Sequence, residues 1–230
     1  MSLLLAATAA AETFVSYNGQ FHITCPDTWE QVDYRTADYY IQQATGSLQY
    51  EAVFAAKDSP KVFEGVYVIL TLDTNGALTQ TQIDSAVGVV RESMDRPLVN
   101  LPLDSFPTGL TLNMVAYDTA HQILAAMSDV TDEGTAPRRN ILVQKFYDRG
   151  MANFYFYSPD SLLSESLTSF TNMLASFSTD MSTVEKKPVK IADLDARKSS
   201  NSDRLVILFV GLAVILVGII IVRARQRKKK

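Results

Sequence analysis

Apolar residues recur along this chain with two different periods. Short stretches alternate at every second position, as half-buried strands do, and two longer ones repeat at three and four, as helices do. Phe14-Val-Ser-Tyr17 and Gln20-Phe-His-Ile23 flank Asn18-Gly19, a dipeptide that tolerates the positive φ of a type I′ turn, so a hairpin is predicted there. Cys25-Pro-Asp-Thr-Trp29 then forms a turn that delivers the only tryptophan as a core plug over the sheet edge. Residues 50–56 and 65–72 are strongly β-patterned and separated by Lys57-Asp-Ser-Pro-Lys61, which predicts neighbouring antiparallel strands. Residues 111–117, 122–128, 140–147 and 152–157 also alternate, the last two joined at Asp148-Arg-Gly150.

Thr79 with Gln82 three residues on supplies a capping box for a helix running to about Met94. Its apolar stripe is Ile83, Ala86, Val87, Val90 and Met94. Pro97, Pro102 and Pro107 predict an open, non-helical connection. A second helix is announced by Ser158 as N-cap, Pro159 at the first helical position and Asp160 on the favourable end of the dipole. Leu163, Leu167, Phe170, Leu174 and Phe177 mark the face laid on the sheet. Strands and helices in this order predict an α+β fold: an antiparallel β-sheet flanked by helices, an α/β/α sandwich.

Residues 205–222 read LVILFVGLAVILVGIIIV, with no polar or charged side chain, and 223–230 read RARQRKKK. As a helix the run is roughly 27 Å long, close to the ~30 Å hydrocarbon core, which predicts one transmembrane helix. Arg223, Arg225, Arg227, Lys228, Lys229 and Lys230 crowd one flank, while Asp195, Lys198, Asp203 and Arg204 give the other mixed charge. Basic flanks stay in the cytoplasm, so the C-terminus is expected inside and the domain before the span outside, periplasmic or at the cell surface. Leu3-Leu-Leu-Ala-Ala7 with Ala9-Ala-Ala11 before Glu12 resembles the end of a signal peptide, though no Lys or Arg precedes it. Residues 1–11 are therefore read as a signal remnant, 12–178 as one extracytoplasmic domain and 179–204 as a Ser-, Lys- and Asp-rich linker. As a coil that linker spans about 30 Å root mean square.

The chain holds 21 Lys and Arg against 25 Asp and Glu; without the six basic residues after the span, 15 face 25, a net of about −10. Phosphate contacts need clustered Lys and Arg, so nucleic acid is an unfavourable partner for the exported part. A lone Cys25 excludes an internal disulfide and is read as a buried, inert thiol.

The hairpin ending Phe21-His-Ile-Thr-Cys-Pro-Asp-Thr-Trp29, the mid-chain helix after strand pairs, and the final helix closing Phe170-Thr-Asn-Met-Leu-Ala-Ser-Phe177 together resemble the PsbP-like fold family. That fold is shared by extrinsic lumenal subunits of photosystem II and a Ran-binding nuclear-import factor family. The resemblance covers about residues 14–177 and rests on core and turn positions. It implies an antiparallel sheet between helices and a non-catalytic binding or assembly role, with no catalytic residues to carry over. A C-terminal anchor departs from the usual pattern.

Candidate chemistry is sparse. His22 and His121 are the only histidines and have no metal-ligand spacing; Gly65, Gly76 and Gly88 stand alone, without the neighbours of a phosphate loop. No metal or cofactor is expected. His121 with Asp118 suits a hydrolytic dyad, but no Gly-x-Ser-x-Gly elbow accompanies them, and both are read as solvated loop residues. Asp129, Asp132 and Glu133 are read as solvated turn charges. In Phe154-Tyr-Phe-Tyr157 one alternate pair must face the core, which leaves Tyr155 and Tyr157 as the candidate partner surface. Two functions are thereby kept: a membrane-anchored extracytoplasmic module that binds a protein partner near the bilayer, or an exported hydrolase around His121.

Overall fold

In the computed structural model the described residues are 12–184, apart from 17–18, 46–47, 60, 62, 75 and 131–136. The signal remnant, most of the linker, the apolar run 205–222, the basic tail 223–230, and Asp132 and Glu133 lie outside them. No helix among the described residues is long and apolar enough to cross a membrane.

A two-stranded hairpin, β1 (Glu12–Val15) and β2 (His22–Cys25), precedes a sheet of eight strands. These are β3 (Trp29–Gln31), β4 (Ala52–Ala56), β5 (Tyr67–Asp73), β6 (Leu98–Val99), β7 (Val115–Asp118), β8 (Ile123–Val130), β9 (Arg138–Tyr147) and β10 (Gly150–Pro159). Their spatial order is β3-β4-β5-β10-β9-β8-β7-β6, antiparallel throughout except for the parallel β6–β7 edge. Four α-helices accompany the sheet: α1 (Tyr34–Thr45), α2 (Gln80–Met94), the single turn α3 (Phe106–Gly109) and α4 (Leu163–Ala175). The fold is thus mixed α+β, built on a large, mostly antiparallel sheet.

Register divides the side chains between two faces, because directly opposed residues of antiparallel strands point the same way. Phe154 lies opposite Val143 and Leu70, and Phe156 opposite Ile141 and Val68; all are buried on the first face. There α4 contributes Leu167, Phe170, Met173 and Leu174, and the hairpin contributes Phe14, Phe21 and Ile23, to one continuous core. Phe156 stacks on Phe170 at 4.6 Å, and Trp29, on the edge strand β3, lies against Phe156 at 6.3 Å. Cys25 belongs to this core, and burial pushes its thiol up to about 12.

Several expectations shift by a turn. The hairpin closes through six residues rather than two, since Val15 already pairs with His22. Ser16 explains the length: its Oγ accepts from the backbone N–H of Gln20 and of Phe21, and it packs beneath the loop. Gly19 has the expected positive φ of 65°. Residues 97–114 are not merely open: they include β6, a 3₁₀ turn at Leu103–Ser105 and α3, where Pro107 sits in the first turn and no N–H is missed. Ser158 caps nothing. It and Pro159 stay paired with Arg139 and Arg138 in β10, so a 3₁₀ turn (Asp160–Leu162) intervenes before α4 begins. The capping box at Thr79 is present as read, with Gln82 N–H on Thr79 Oγ1 and Thr79 N–H on Gln82 Oε1 at 2.8 Å.

Helix α1 was not read from the sequence. Among its described side chains Ala37 and Ile41 are buried, and with Tyr34 they recur at helical spacing, i, i+3 and i+7. Arg35, Thr36 and Asp38 lie between them and leave a narrow stripe of small and aromatic residues.

A tyrosine and amide floor between two helices

The second face is built differently. Here α1 covers Val53 and Ala55 of β4 with Tyr67 and Ile69 of β5, and α2 covers Val115 and Tyr117 of β7 with Leu124 and Ala126 of β8. These are two separate apolar clusters. Strand order places β10 and β9 between them, and each cluster reaches onto these strands: Phe146 of β9 and Met151 of β10 pack with α2, Tyr155 and Tyr157 of β10 with α1. The strip between the helices is about two strands wide, roughly 10 Å at ~4.8 Å per strand.

Its floor is read off the register. Asn153 lies opposite Gln144 and Thr71, Tyr155 opposite Leu142 and Ile69, and Tyr157 opposite Asn140 and Tyr67. Gln144 Nε2 donates to Asn153 Oδ1 at 3.0 Å, and Asn153 Nδ2 donates to Thr71 Oγ1 at 3.3 Å, a polar row crossing three strands. Tyr155 and Tyr157 are half-buried: their rings pack on the α1 cluster, Tyr157 stacking on Tyr67 at 4.8 Å, and their outer surfaces meet solvent. Burial raises the phenols of both; the hydroxyl of Thr71 opposes this at Tyr155, and the Arg138 guanidinium opposes it at Tyr157. Two acceptors on β9, Gln144 Oε1 and Asn140 Oδ1, are shut off from water with no donor among the described residues. Each such group costs about 1–3 kcal/mol. Thr71, Asn153, Gln144 and Asn140 were not picked out from the sequence. The available signal was a scatter of polar residues, Asn140, Gln144, Asn153 and Thr71, among apolar ones on the second-face positions of three strands, legible only once that face is known to be partly covered.

From Tyr157 the rings continue outward. Tyr67 meets Phe63 at 4.8 Å, Phe63 meets Tyr40 at 5.0 Å and Tyr40 meets Tyr39 at 5.2 Å. Tyr67 is buried, whereas Tyr40 is 42% and Tyr39 60% exposed. Arg138 lies over the Tyr67 ring and donates to the carbonyls of Phe63 and Gly65, which fixes the loop carrying Phe63.

The second candidate, His121 with Asp118, is assembled at the β7–β8 turn. His121 Nδ1–H donates to Asp118 Oδ2 at 2.6 Å. Contrary to the sequence reading, Asp118 is no solvated loop residue: it is the buried last residue of β7, and only His121 is exposed. The carboxylate also accepts from the N–H groups of Leu103, Ala120 and His121, so it ties the crossing segment 97–114 to the turn. Burial pushes this carboxyl up, but the His121 side chain and the Leu103 and His121 amides outweigh it and hold the group below the usual carboxylate range. Lys145 donates to the His121 carbonyl at 3.1 Å; burial lowers its ammonium, and Asp118 partly opposes that. Among the described residues no hydroxyl or thiol bonds to the remaining nitrogen, Nε2. The arrangement orients an imidazole but brings no nucleophile to it.

His22 lies in β2, where Nε2–H donates to the Asp180 carbonyl at 3.2 Å, far from any pairing with His121. Asp129 is the penultimate residue of β8 and is ion-paired with Arg139, which also holds Asp160 at 2.7 Å. No three His, Cys, Asp or Glu side chains among the described residues converge as a metal site.

No family model matches the sequence, and no curated protein does. Solved structures do. A crystal structure from Bacteroides thetaiotaomicron VPI-5482 is similar at a TM-score of 0.50 and 9% identity, over 80% of this chain and 56% of that one. The chain therefore spans about half the length of that neighbour, and at this identity the likeness is one of fold. The solution structure of cyanobacterial PsbP from Synechocystis sp. PCC 6803 is also among the matches, at a TM-score of 0.34 and 11% identity, over 77% of this chain and 97% of that one.

Proposed function

We propose that this protein is a single-pass, membrane-anchored extracytoplasmic module, non-catalytic, that receives a protein partner near the bilayer. The partner's helix lies on the floor between α1 and α2. One observation carries the reading: in the middle of a sheet whose first face is sealed, Tyr155, Tyr157, Gln144 and Asn140 stay half-buried on the strip between the two helix-covered clusters. Tyrosine supplies large contact area at small entropic cost, and the partly exposed side chains of Gln144 and Asn140 add polar groups beside it. Helix-in-groove docking uses such a site. The anchor and its orientation rest on the sequence, through 205–222 and the six basic residues Arg223, Arg225, Arg227, Lys228, Lys229 and Lys230.

Two measurements test this. A reporter active only outside the cytoplasm, inserted before Thr179, is expected to be active; inactivity reverses the topology. Full-length protein purified in detergent is expected to retain a polypeptide that Asn140→Trp releases and that an exposed first-face change, Thr168→Lys, leaves bound. Equal retention by both variants removes the groove from the reading.

The hydrolase alternative is favoured by one fact, the short Asp118–His121 hydrogen bond. Ester turnover by the purified chain that disappears in His121→Ala, with folding intact, would establish it in place of the binding role.

A further inference from the structure

The row of rings that leaves the sheet at Tyr157 ends in solvent at Tyr39 and Tyr40, and the groove reading gives these two no task. Exposed large apolar residues are few among the described ones, and here two adjoin, held edge to face at 5.2 Å and backed through Phe63 by the buried Tyr67. The pair is therefore one packed aromatic patch rather than two separate side chains. Lys61 stands near Tyr40 in the neighbouring loop, with its ammonium on Glu64 at 2.6 Å.

The geometry points to the bilayer itself as the occupant: Tyr39 and Tyr40 of α1 insert at the headgroup level and set the orientation of the tethered domain. This rests on the anchor proposed above. Two arguments favour lipid over a second protein. A stable protein interface takes about 800 Å² per partner, far beyond what two tyrosines offer. A patch joined to its target by a linker of about 30 Å needs no such area, because the encounter is intramolecular at roughly millimolar effective concentration. Tyrosine is also the side chain suited to that depth, with an apolar ring below and a hydroxyl at the wet boundary, and an adjacent lysine can snorkel. The exported part is strongly acidic, so attraction to anionic lipid is not the source of the contact, and docking should occur on zwitterionic lipid and resist salt.

The test uses the full chain in phosphatidylcholine nanodiscs doped with a phosphatidylcholine that carries a diazirine near the glycerol. After irradiation and digestion, lipid adducts are expected on the peptides containing Tyr39 and Tyr40, at both low and high salt. In Tyr39→Ser/Tyr40→Ser those adducts should fall roughly tenfold, the factor that about 1.4 kcal/mol of lost contact would give. Adducts in 205–222 should not change. Thermal unfolding of the single variant Tyr39→Ser, whose ring is mostly in solvent, guards against a folding artefact. Labelled 205–222 with unlabelled α1 overturns this inference and leaves the anchor standing. Absence of adducts from both, with the chain extracted by alkaline carbonate, overturns the anchor and the inference together.

Discussion

The two faces of one sheet show opposite solutions to the same problem. On the first, phenylalanines of β10 meet those of α4 and the hairpin in one unbroken core, with Phe154, Phe156 and Phe170 at 1% exposure or less. On the second, two helices seal their own ends and leave a tyrosine and amide strip between them. The same strand, β10, supplies both: Phe154 and Phe156 inward, Asn153, Tyr155 and Tyr157 outward. A face that only has to hold the fold needs no polar atoms. Hydrogen-bonding groups and half-covered rings carry a cost there that a contact can recover.

The comparison can be broken most directly at Phe156. Phe156→Ala should cost about 3–5 kcal/mol, a cavity between Trp29 and α4 with no room to collapse. Urea unfolding followed by the fluorescence of Trp29, buried in that same core, reads it; a loss under about 1 kcal/mol would deny the first face its role.

Asp118→Ala is next, at about 2–4 kcal/mol, since it strands the buried amide of Leu103 and loosens the segment that wraps the far edge. Its pH dependence has a definite sign. The folded carboxyl titrates below its unfolded value, near 3.9, so the stabilisation is complete above that pH and fades as pH falls through the lower, folded value. Asp118→Asn should therefore differ from the parent at neutral pH and converge with it in acid, as judged by unfolding midpoints across pH.

The polar row offers a sharper contrast. Asn153→Ala leaves Gln144 and Thr71 without their partner and should cost about 1–3 kcal/mol, whereas the triple change Thr71→Val, Asn153→Leu, Gln144→Leu should recover most of it while abolishing partner retention. Recovered stability with unchanged binding would make the row purely structural. Smallest is Tyr157→Ser: its ring stacks on Tyr67 but keeps a solvent-facing side, and about 1 kcal/mol is expected, together with loss of the partner. Differential scanning and copurification separate the two effects.

Local pattern was enough for the elements with a strong private signal. The capping box at Thr79 and the stripe from Ile83 to Met94 fix α2, and the alternation at 140–147 and 152–157 fixes the long β9–β10 pair, whose turn needs Gly150 because its φ is 147° and a Cβ would lie 1.9 Å from the Asp73 carbonyl oxygen. Helix α1 carries a weaker-looking stripe, Tyr34, Ala37 and Ile41 at helical spacing without a long aliphatic run or a capping box, and contact with β4 and β5 is what settles it. Of the candidate site, Tyr155 and Tyr157 were legible because a strand must send alternate residues to opposite faces.

The sequence by itself determined the period of each segment, the acidity of the domain and the apolar run with its basic flank, all of which are properties of neighbouring residues. Only the tertiary structure decided that the inward face of β10 is sealed and its outward face is not. It also brought Thr71, Asn153 and Gln144 into one row and turned Asp118 inward to hold Leu103. Those facts depend on which distant strands pair and where helices settle across them. Hydrogen-bond partners dozens of residues apart leave no mark on local order along the chain.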